Sequence, residues 1–424
     1  MFHIQPRGRN DRAGGRSVGM SRFSDQSAAA SWPLALLLWT LAASFAFSAV
    51  QDDLERADFA SNYTAASLVL QGQAAKMYSG HENRIRFPDD VQLEMEARGY
   101  PGASIPSYYS HPAIAIAMTP LARLDYPAAQ RLWTFGLLAA QFALGFWLWR
   151  RRWLGSVEAA GLVLFMILGY AGRRALEFGQ FQLAILFLVG LAVVFPARWI
   201  GVLVLPPVVL AKPFFIPLLF SRPRQLPWFL LGFVPWLVLP LIWGRDAYGA
   251  FFRTLAGRMD DFPIYASQQG LLAQTMRLVQ KIPLSQEQWI HLHQPSAGSV
   301  ALYLLLAIPL GAIGLWQLKR HREPAMRTAA MIATSIAVAP LIWSHYATLF
   351  VLPLVVMIHY RPQPLPVGLA LAGILIANLP YRHHDPAWLF ILRFNVYLGA
   401  LFQLAAVAVA QRSSDSEGVK SYRE

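Results

Sequence analysis

From Trp32 to within about a dozen residues of its end, the chain runs as apolar segments of about 15–22 residues. A helix rises ~1.5 Å per residue and the hydrocarbon core of a bilayer is ~30 Å thick, so segments of that length read as membrane spans. Two long polar stretches, 51–110 and 244–298, interrupt the pattern. They read as large loops on one face of the membrane, and that face is where chemistry is expected.

Composition agrees with a membrane protein. Only 14% of the residues are charged, against about 25% in soluble domains. The 29 prolines and 14 tryptophans fit as well, since membrane helices tolerate proline and tryptophan anchors at the interfaces. The net charge of +13 does not point to nucleic acid, because the Lys and Arg residues are scattered over short turns and tails rather than gathered in one patch. Zero cysteines exclude disulfides, thiolate metal sites and cysteine nucleophiles, and leave the compartment undecided.

Arg7, Arg9, Arg12, Arg16 and Arg22 precede the first span and, by the positive-inside rule, place the N-terminal tail in the cytosol. Ala46-Phe-Ser48 resembles a signal-peptidase site, so cleavage is the competing reading. Either way the loop after Val50 faces outward. The spans are expected near 32–50, 108–124, 127–149, 157–171, 178–195, 199–220, 227–243, 298–318, 326–342, 345–360, 364–380 and 387–410. Twelve crossings return the C-terminus to the cytosol, with Ser221-Arg-Pro-Arg224, Lys319-Arg-His-Arg322 and Arg361 inside. Two features sit awkwardly: Arg150-Arg-Arg152 falls outside, and 157–171 is short for a full span. Tails 1–31 and 411–424 are expected to be disordered and to carry no chemistry, flanking one membrane domain over 32–410.

The first loop opens on Asp52, Asp53, Glu55 and Asp58. Phe59, Tyr63, Ala66 and Leu70 then recur at helical spacing, which predicts an amphipathic helix lying on the membrane surface. The second loop holds Arg253, Arg258, Asp260, Asp261 and the run Tyr265-Ala-Ser-Gln268-Gln269-Gly270, leading into another surface helix.

Several residues are candidates for chemistry, each with a plainer explanation beside it. Asp58 is a carboxylate able to take a proton from an attacking hydroxyl, or simply a helix N-cap. His345, in Trp343-Ser-His345-Tyr346, is a functional group between apolar helices or part of an interfacial belt. Lys212 is the only lysine in a span; it holds a phosphate or a carboxylate, or snorkels to an interface. Arg174, Glu177 and Gln180 share one helical face, as site residues or as an ion pair beside a helix start. His111, before Pro112, is a ligand or an interfacial residue. No GxxxxGK[ST] loop, HExxH or GxSxG is present, which argues against an ATP-driven machine, a zinc protease and a serine hydrolase.

Taken in order, five pieces resemble the integral-membrane glycosyltransferases of family 87, which include polyprenol-phosphate-mannose-dependent α-mannosyltransferases. They are Asp58-Phe-x-x-x-Tyr63 with Gly72 and Tyr78; Ser110-His-Pro112 through Pro120-Leu121; Gly179-Gln180-Phe-Gln182; Lys212-Pro213; and Ala339-Pro340-Leu-Ile-Trp343-Ser-His345. The chain departs from the pattern at Ser110-His-Pro-Ala113, Gln182, Ala339 and Tyr346. The resemblance implies an all-α, GT-C type bundle of about twelve spans in a bacterial inner membrane, with both termini cytosolic. Its first outer loop supplies a catalytic aspartate, here Asp58. It also implies a hexose donor, by default mannose, on a polyprenyl-phosphate carrier, and a glycolipid or glycan acceptor at the extracytoplasmic face.

The chemistry follows from the groups involved. A phosphate leaving group needs cationic stabilisation, a task for Lys212, His345, Arg174 and the adjoining Gln180. Asp58 as general base and a single displacement would invert the anomeric centre. Tyr63, His111, Trp343 and Gln269 are expected to line the substrate site, with no cofactor and no obligatory metal. The competing classes are a transporter or flippase of lipid-linked sugars and a non-catalytic membrane subunit. The gathering of candidates near one face favours the enzyme.

Overall fold

The computed structural model describes residues 25–52, 56–78, 86–102, 104–195, 197–257, 262–264, 269–282, 291–360, 363–379 and 394–410. Arg258, Asp260, Asp261, Tyr265 and Gln268, with Asp53, Glu55 and both distal tails, lie outside them.

The described helices run in the order α1 (Asp25–Gln51), α2 (Ala57–Leu70), α3 (Asp89–Ala97), α4 (Pro112–Ala117), α5 (Thr119–Ala122), α6 (Tyr126–Arg150), α7 (Ser156–Leu168), α8 (Tyr170–Phe178), α9 (Gln182–Val194) and α10 (Arg198–Ala211). They continue with α11 (Pro217–Phe220), α12 (Leu226–Trp243), α13 (Arg245–Gly257), α14 (Leu271–Gln280), α15 (Ala297–Arg320), α16 (Pro324–Val338), α17 (Val351–Tyr360), α18 (Pro364–Ala377) and α19 (Asn395–Val409). Four helices, α1, α6, α12 (with the turn before it) and α15, are long and apolar enough to cross a membrane. The pair α7–α8 makes a fifth if its 53° bend is counted within one span. The chain is therefore a helical protein of membrane type. A two-stranded antiparallel ladder, β1 (Phe262–Ile264) with β2 (His291–His293), is a small exception to the all-α expectation.

Two expectations need correction. The apolar run 108–124 is not one span: it forms the short helices α4 and α5, and residues 112–116 are buried. Pro112 and Pro120 each open a helix, where their missing N–H costs nothing, so the run is punctuated rather than continuous. The first-loop helix exists but does not lie on a surface. Every residue of α2 from Phe59 to Val69 is buried, in a second core with Tyr78, Tyr108, Tyr126 and Ile116. Polar Ser61, Asn62 and Thr64 dilute its hydrophobic pattern, and so an enclosed helix reads as an amphipathic one.

The helix ends gather in two groups. At one end Trp153 stacks on His359 with ring centroids 4.2 Å apart, and the His321 ring lies 3.0 Å from the Val407 carbonyl. The start of α10 meets that of α12 there, Gly201 lying against Gln225 and Phe229. At the opposite end the Ala171 N–H donates to Asn378 (3.0 Å), and the Gln269 N–H to the Ile342 carbonyl (2.7 Å). The two polar stretches also meet there, as His111 and Tyr78 pack against Phe251 of α13.

This arrangement removes the awkwardness of Arg150-Arg-Arg152. With 108–124 folded back on α2, α6 carries these arginines to the end that holds Lys319–Arg322. The segment 199–220 is then two legs rather than one. It breaks at Lys212, which is extended (φ −145°, ψ 90°) before Pro213.

Candidate functional site

Arg56 sets the local geometry. It sits in the left-handed region (φ 43°) just before α2, and its buried guanidinium donates to the Leu176 carbonyl and to the Ala49 carbonyl, the latter at 2.7 Å. One side chain thereby ties the end of α1 and the end of α8 to the start of α2. The α8–α9 corner closes the same joint. Gly179 has φ +65°, and a Cβ there would lie 2.5 Å from Cβ of Phe59. Only glycine meets both demands. The Trp133 indole donates to the Gly179 carbonyl at 3.0 Å.

Asp58 therefore occupies the second position of α2, not its cap. The N-cap is Arg56, which makes no side-chain cap bond, so the capping explanation of Asp58 fails. Its carboxylate is partly buried. Burial pushes its pKa up to about 6, with the Lys212 ammonium opposing the shift. Asn62, one turn on, donates to the Asp58 carbonyl at 2.5 Å.

Lys212, at the broken end of α10, acts on this carboxylate through its charge. Its ammonium lies 5.7 Å from the Tyr346 ring centroid, and no ion pair joins it to Asp58 among the described residues. Tyr346 and His345 belong to the buried 3₁₀ turn Ser344–Phe350. Their rings are 5.0 Å apart. His345 is buried with its Nε2 unbonded, and it faces both Lys212 and Arg174. Arg174 pairs with Glu177 at 2.9 Å, and its guanidinium lies over the Phe178 ring. Asp58, Lys212, His345 and Arg174, from four separate stretches of sequence, thus form one cluster. Two cations, a neutral-capable imidazole and a carboxylate suit binding a phosphate beside a base.

The other expected residues have bonds of their own. Gln180 closes the α8–α9 corner, its N–H donating to the Ala175 carbonyl (2.8 Å). Tyr63 donates to the Leu124 carbonyl (2.6 Å) and accepts from Arg98 (3.2 Å). His111 caps α4, its Nδ1 accepting from the Ala113 N–H (3.2 Å), with edge-on contacts to Tyr248 and Phe251. Gln269 accepts from the Val396 N–H (2.8 Å), while Gly270 packs against the Pro340 backbone too closely for any side chain. The second polar stretch is thereby pinned to the Ala339–Trp343 segment, and Trp343 caps the turn that carries His345.

Sequence reasoning passed over two neighbours of Lys212 as site residues. The Tyr346 hydroxyl faces both the Lys212 ammonium and the Gln182 amide. Gln182 is fully buried at the first position of the apolar helix α9, where an amide also reads as an ordinary packing residue.

Comparison with known proteins gives one match. The model of glycosyltransferase family 87 matches residues 109–344, more than half of the chain. No curated protein and no solved structure matches.

Proposed function

The chain belongs to glycosyltransferase family 87, and from that premise we propose that it is an inverting enzyme using a polyprenyl-phosphate-linked hexose as donor and Asp58 as general base. The observation that carries this reading is the meeting of Asp58 with Lys212, His345 and Arg174 in one partly enclosed cluster. A general base works best with a pKa near the working pH, and a carboxyl raised to about 6 is closer to that than an ordinary one.

In the step proposed, the acceptor hydroxyl gives its proton to Asp58 and its oxygen attacks the anomeric carbon. The bond from that carbon to the phosphate oxygen breaks, and the electron pair leaves with the phosphate. The departing monoester carries one more negative charge than the donor diester. Lys212 and Arg174 stabilise that developing charge, which is where electrostatic catalysis gains most. A β-linked hexose would emerge as an α-glycoside. Mannose and a glycolipid acceptor are carried over from the family resemblance.

Orientation is part of the proposal. The end remote from the cluster carries Arg150, Arg151, Arg152, Arg222, Arg224, Lys319, Arg320 and Arg322. At the cluster end the basic residues, among them Lys76, Arg86, Arg98, Arg245 and Arg253, are spread through the two long polar stretches, which weigh less in the positive-inside rule than short turns do. The positive-inside rule then makes the arginine-rich end cytosolic and the cluster extracytoplasmic, where a lipid-carried donor is available and nucleotide sugars are not.

The test uses purified protein in lipid nanodiscs with radiolabelled polyprenyl-phospho-hexoses and a host lipid extract. Wild type is expected to transfer label, and Asp58→Asn to bind donor without transferring it. If donor binds, neither protein transfers it, and wild type moves it across vesicles, the protein is instead a flippase.

A further inference from the structure

We infer that Tyr346, backed by Gln182, is a positioning residue that holds the Lys212 ammonium off the Asp58 carboxylate and directs it to the donor phosphate. The inference rests on the donor reading above and adds to it the question of why base and cation coexist. A lysine ammonium is a compact charge on a flexible four-carbon stem. Placed in a low-dielectric cluster with a carboxylate in electrostatic range, it is expected to close on that carboxylate. A closed pair would leave the base weak and the phosphate without its cation. Lys212 does not close on Asp58. Its ammonium lies against Tyr346, 5.7 Å from the ring centroid.

Tyr346 is well placed for this task. It is buried, packed against Phe214 at 5.2 Å and His345 at 5.0 Å between centroids, so its hydroxyl is a fixed point. The Gln182 amide faces that hydroxyl and has no other partner. A buried amide at the head of an apolar helix is costly unless it serves something. The other charges around the start of α2 are engaged elsewhere. Arg56 is bound to the Leu176 and Ala49 carbonyls, and Arg173 and Arg174 to Glu177. Lys212 is thus the charge that a change at Tyr346 would release toward Asp58.

The test is Tyr346→Phe, which keeps the ring and removes the hydroxyl. One readout needs no donor: labelling of Asp58 by dicyclohexylcarbodiimide, which modifies protonated carboxyls in apolar surroundings, followed by mass spectrometry across a pH series. The labelling midpoint is expected to fall by about one pH unit, because a closed ammonium favours the carboxylate. In the transfer assay the donor KM is expected to rise several-fold, and the pH–rate midpoint to fall with the labelling midpoint. A merely structural role would lower the folded fraction without moving either midpoint. Gln182→Leu is expected to shift both in the same direction by less, and it serves if Tyr346→Phe does not fold. A folded variant with the wild-type midpoint and donor KM overturns the inference. A shifted labelling midpoint in a protein that transfers no polyprenyl-phospho-hexose supports the placement of Lys212 and overturns the donor reading instead.

Discussion

In the mechanism proposed, Asp58 combines a functional demand with a structural cost, and the two predict opposite effects of one substitution. Its carboxyl is raised from 3.8 to about 6 in the fold, chiefly by burial. The folded state therefore binds the proton more tightly than the unfolded chain. Stability is fully retained below pH 4 and falls as pH rises between about 4 and 6. Above pH 6 the ionised group costs up to about 3 kcal/mol, at 1.36 kcal/mol per pKa unit. Asp58→Asn is thus expected to unfold at a higher temperature than wild type at pH 7.5, measured by thermal melting in detergent, with the advantage vanishing at pH 4. The same variant should lose about 10²–10⁴ in turnover, the usual contribution of a positioned base. Wild-type turnover should rise through pH 6 as the base ionises. A variant that is inactive but less stable would return Asp58 to a structural role. Asp58, Lys212 and His345 are legible in the sequence because each is an ionisable group beside or inside an apolar run. Tyr346 and Gln182 are not, because an aromatic and an amide in such places are also ordinary packing residues, and only contact with Lys212 separates the two cases.

At the scale of elements, the site is a product of joints rather than of whole helices. The start of α2 is held against the α8–α9 corner by Gly179, whose positive φ and contact with Phe59 leave no room for a methyl group. Gly179→Ala is expected to cost about 1–3 kcal/mol, through the left-handed backbone and the overpacking together. Because the displaced element carries Asp58, turnover should fall more than the melting temperature predicts. That divergence is checked by comparing specific activity with the folded fraction at a temperature well below the transition. Sequence pattern locates part of this: α6, α12, α15 and α16 fall within a few residues of the apolar segments expected, and α1 begins earlier, at Asp25, inside the expected tail. Among the described residues four helices, or five with the α7–α8 pair, are long and apolar enough to cross a membrane, against the twelve crossings expected. The pattern fails at 108–124 for a different reason than at α2, where Ser61, Asn62 and Thr64 make an enclosed helix read as amphipathic. Hydrophobicity reports that a segment leaves water, and a protein interior satisfies that as well as lipid does. Proline spacing at Pro112 and Pro120 was the warning that the first is not a span.

Across the whole molecule, these corrections change the path of the chain without changing its ends. An unbroken span at 108–124 would send Arg150-Arg-Arg152 outward and leave 199–220 as a single crossing. The fold instead keeps 112–122 beside α2 and turns the chain at Lys212, so that two changes of parity cancel. The arginines after α6 then share a side with Lys319–Arg322, and Lys212 becomes the tip of a broken leg rather than an isolated charge in lipid. Because the sequence contains no cysteine, single-cysteine labelling needs no background to be removed. With a membrane-impermeant maleimide on intact cells, Glu96→Cys in α3 is expected to react, whereas Arg151→Cys and Arg322→Cys should react only after lysis. All three side chains are exposed, so failure to label reports sidedness rather than burial. Labelling of Arg151→Cys in intact cells, with Arg322→Cys protected, would restore the span at 108–124. It would also separate the two ends of the bundle that the Trp153–His359 stack joins.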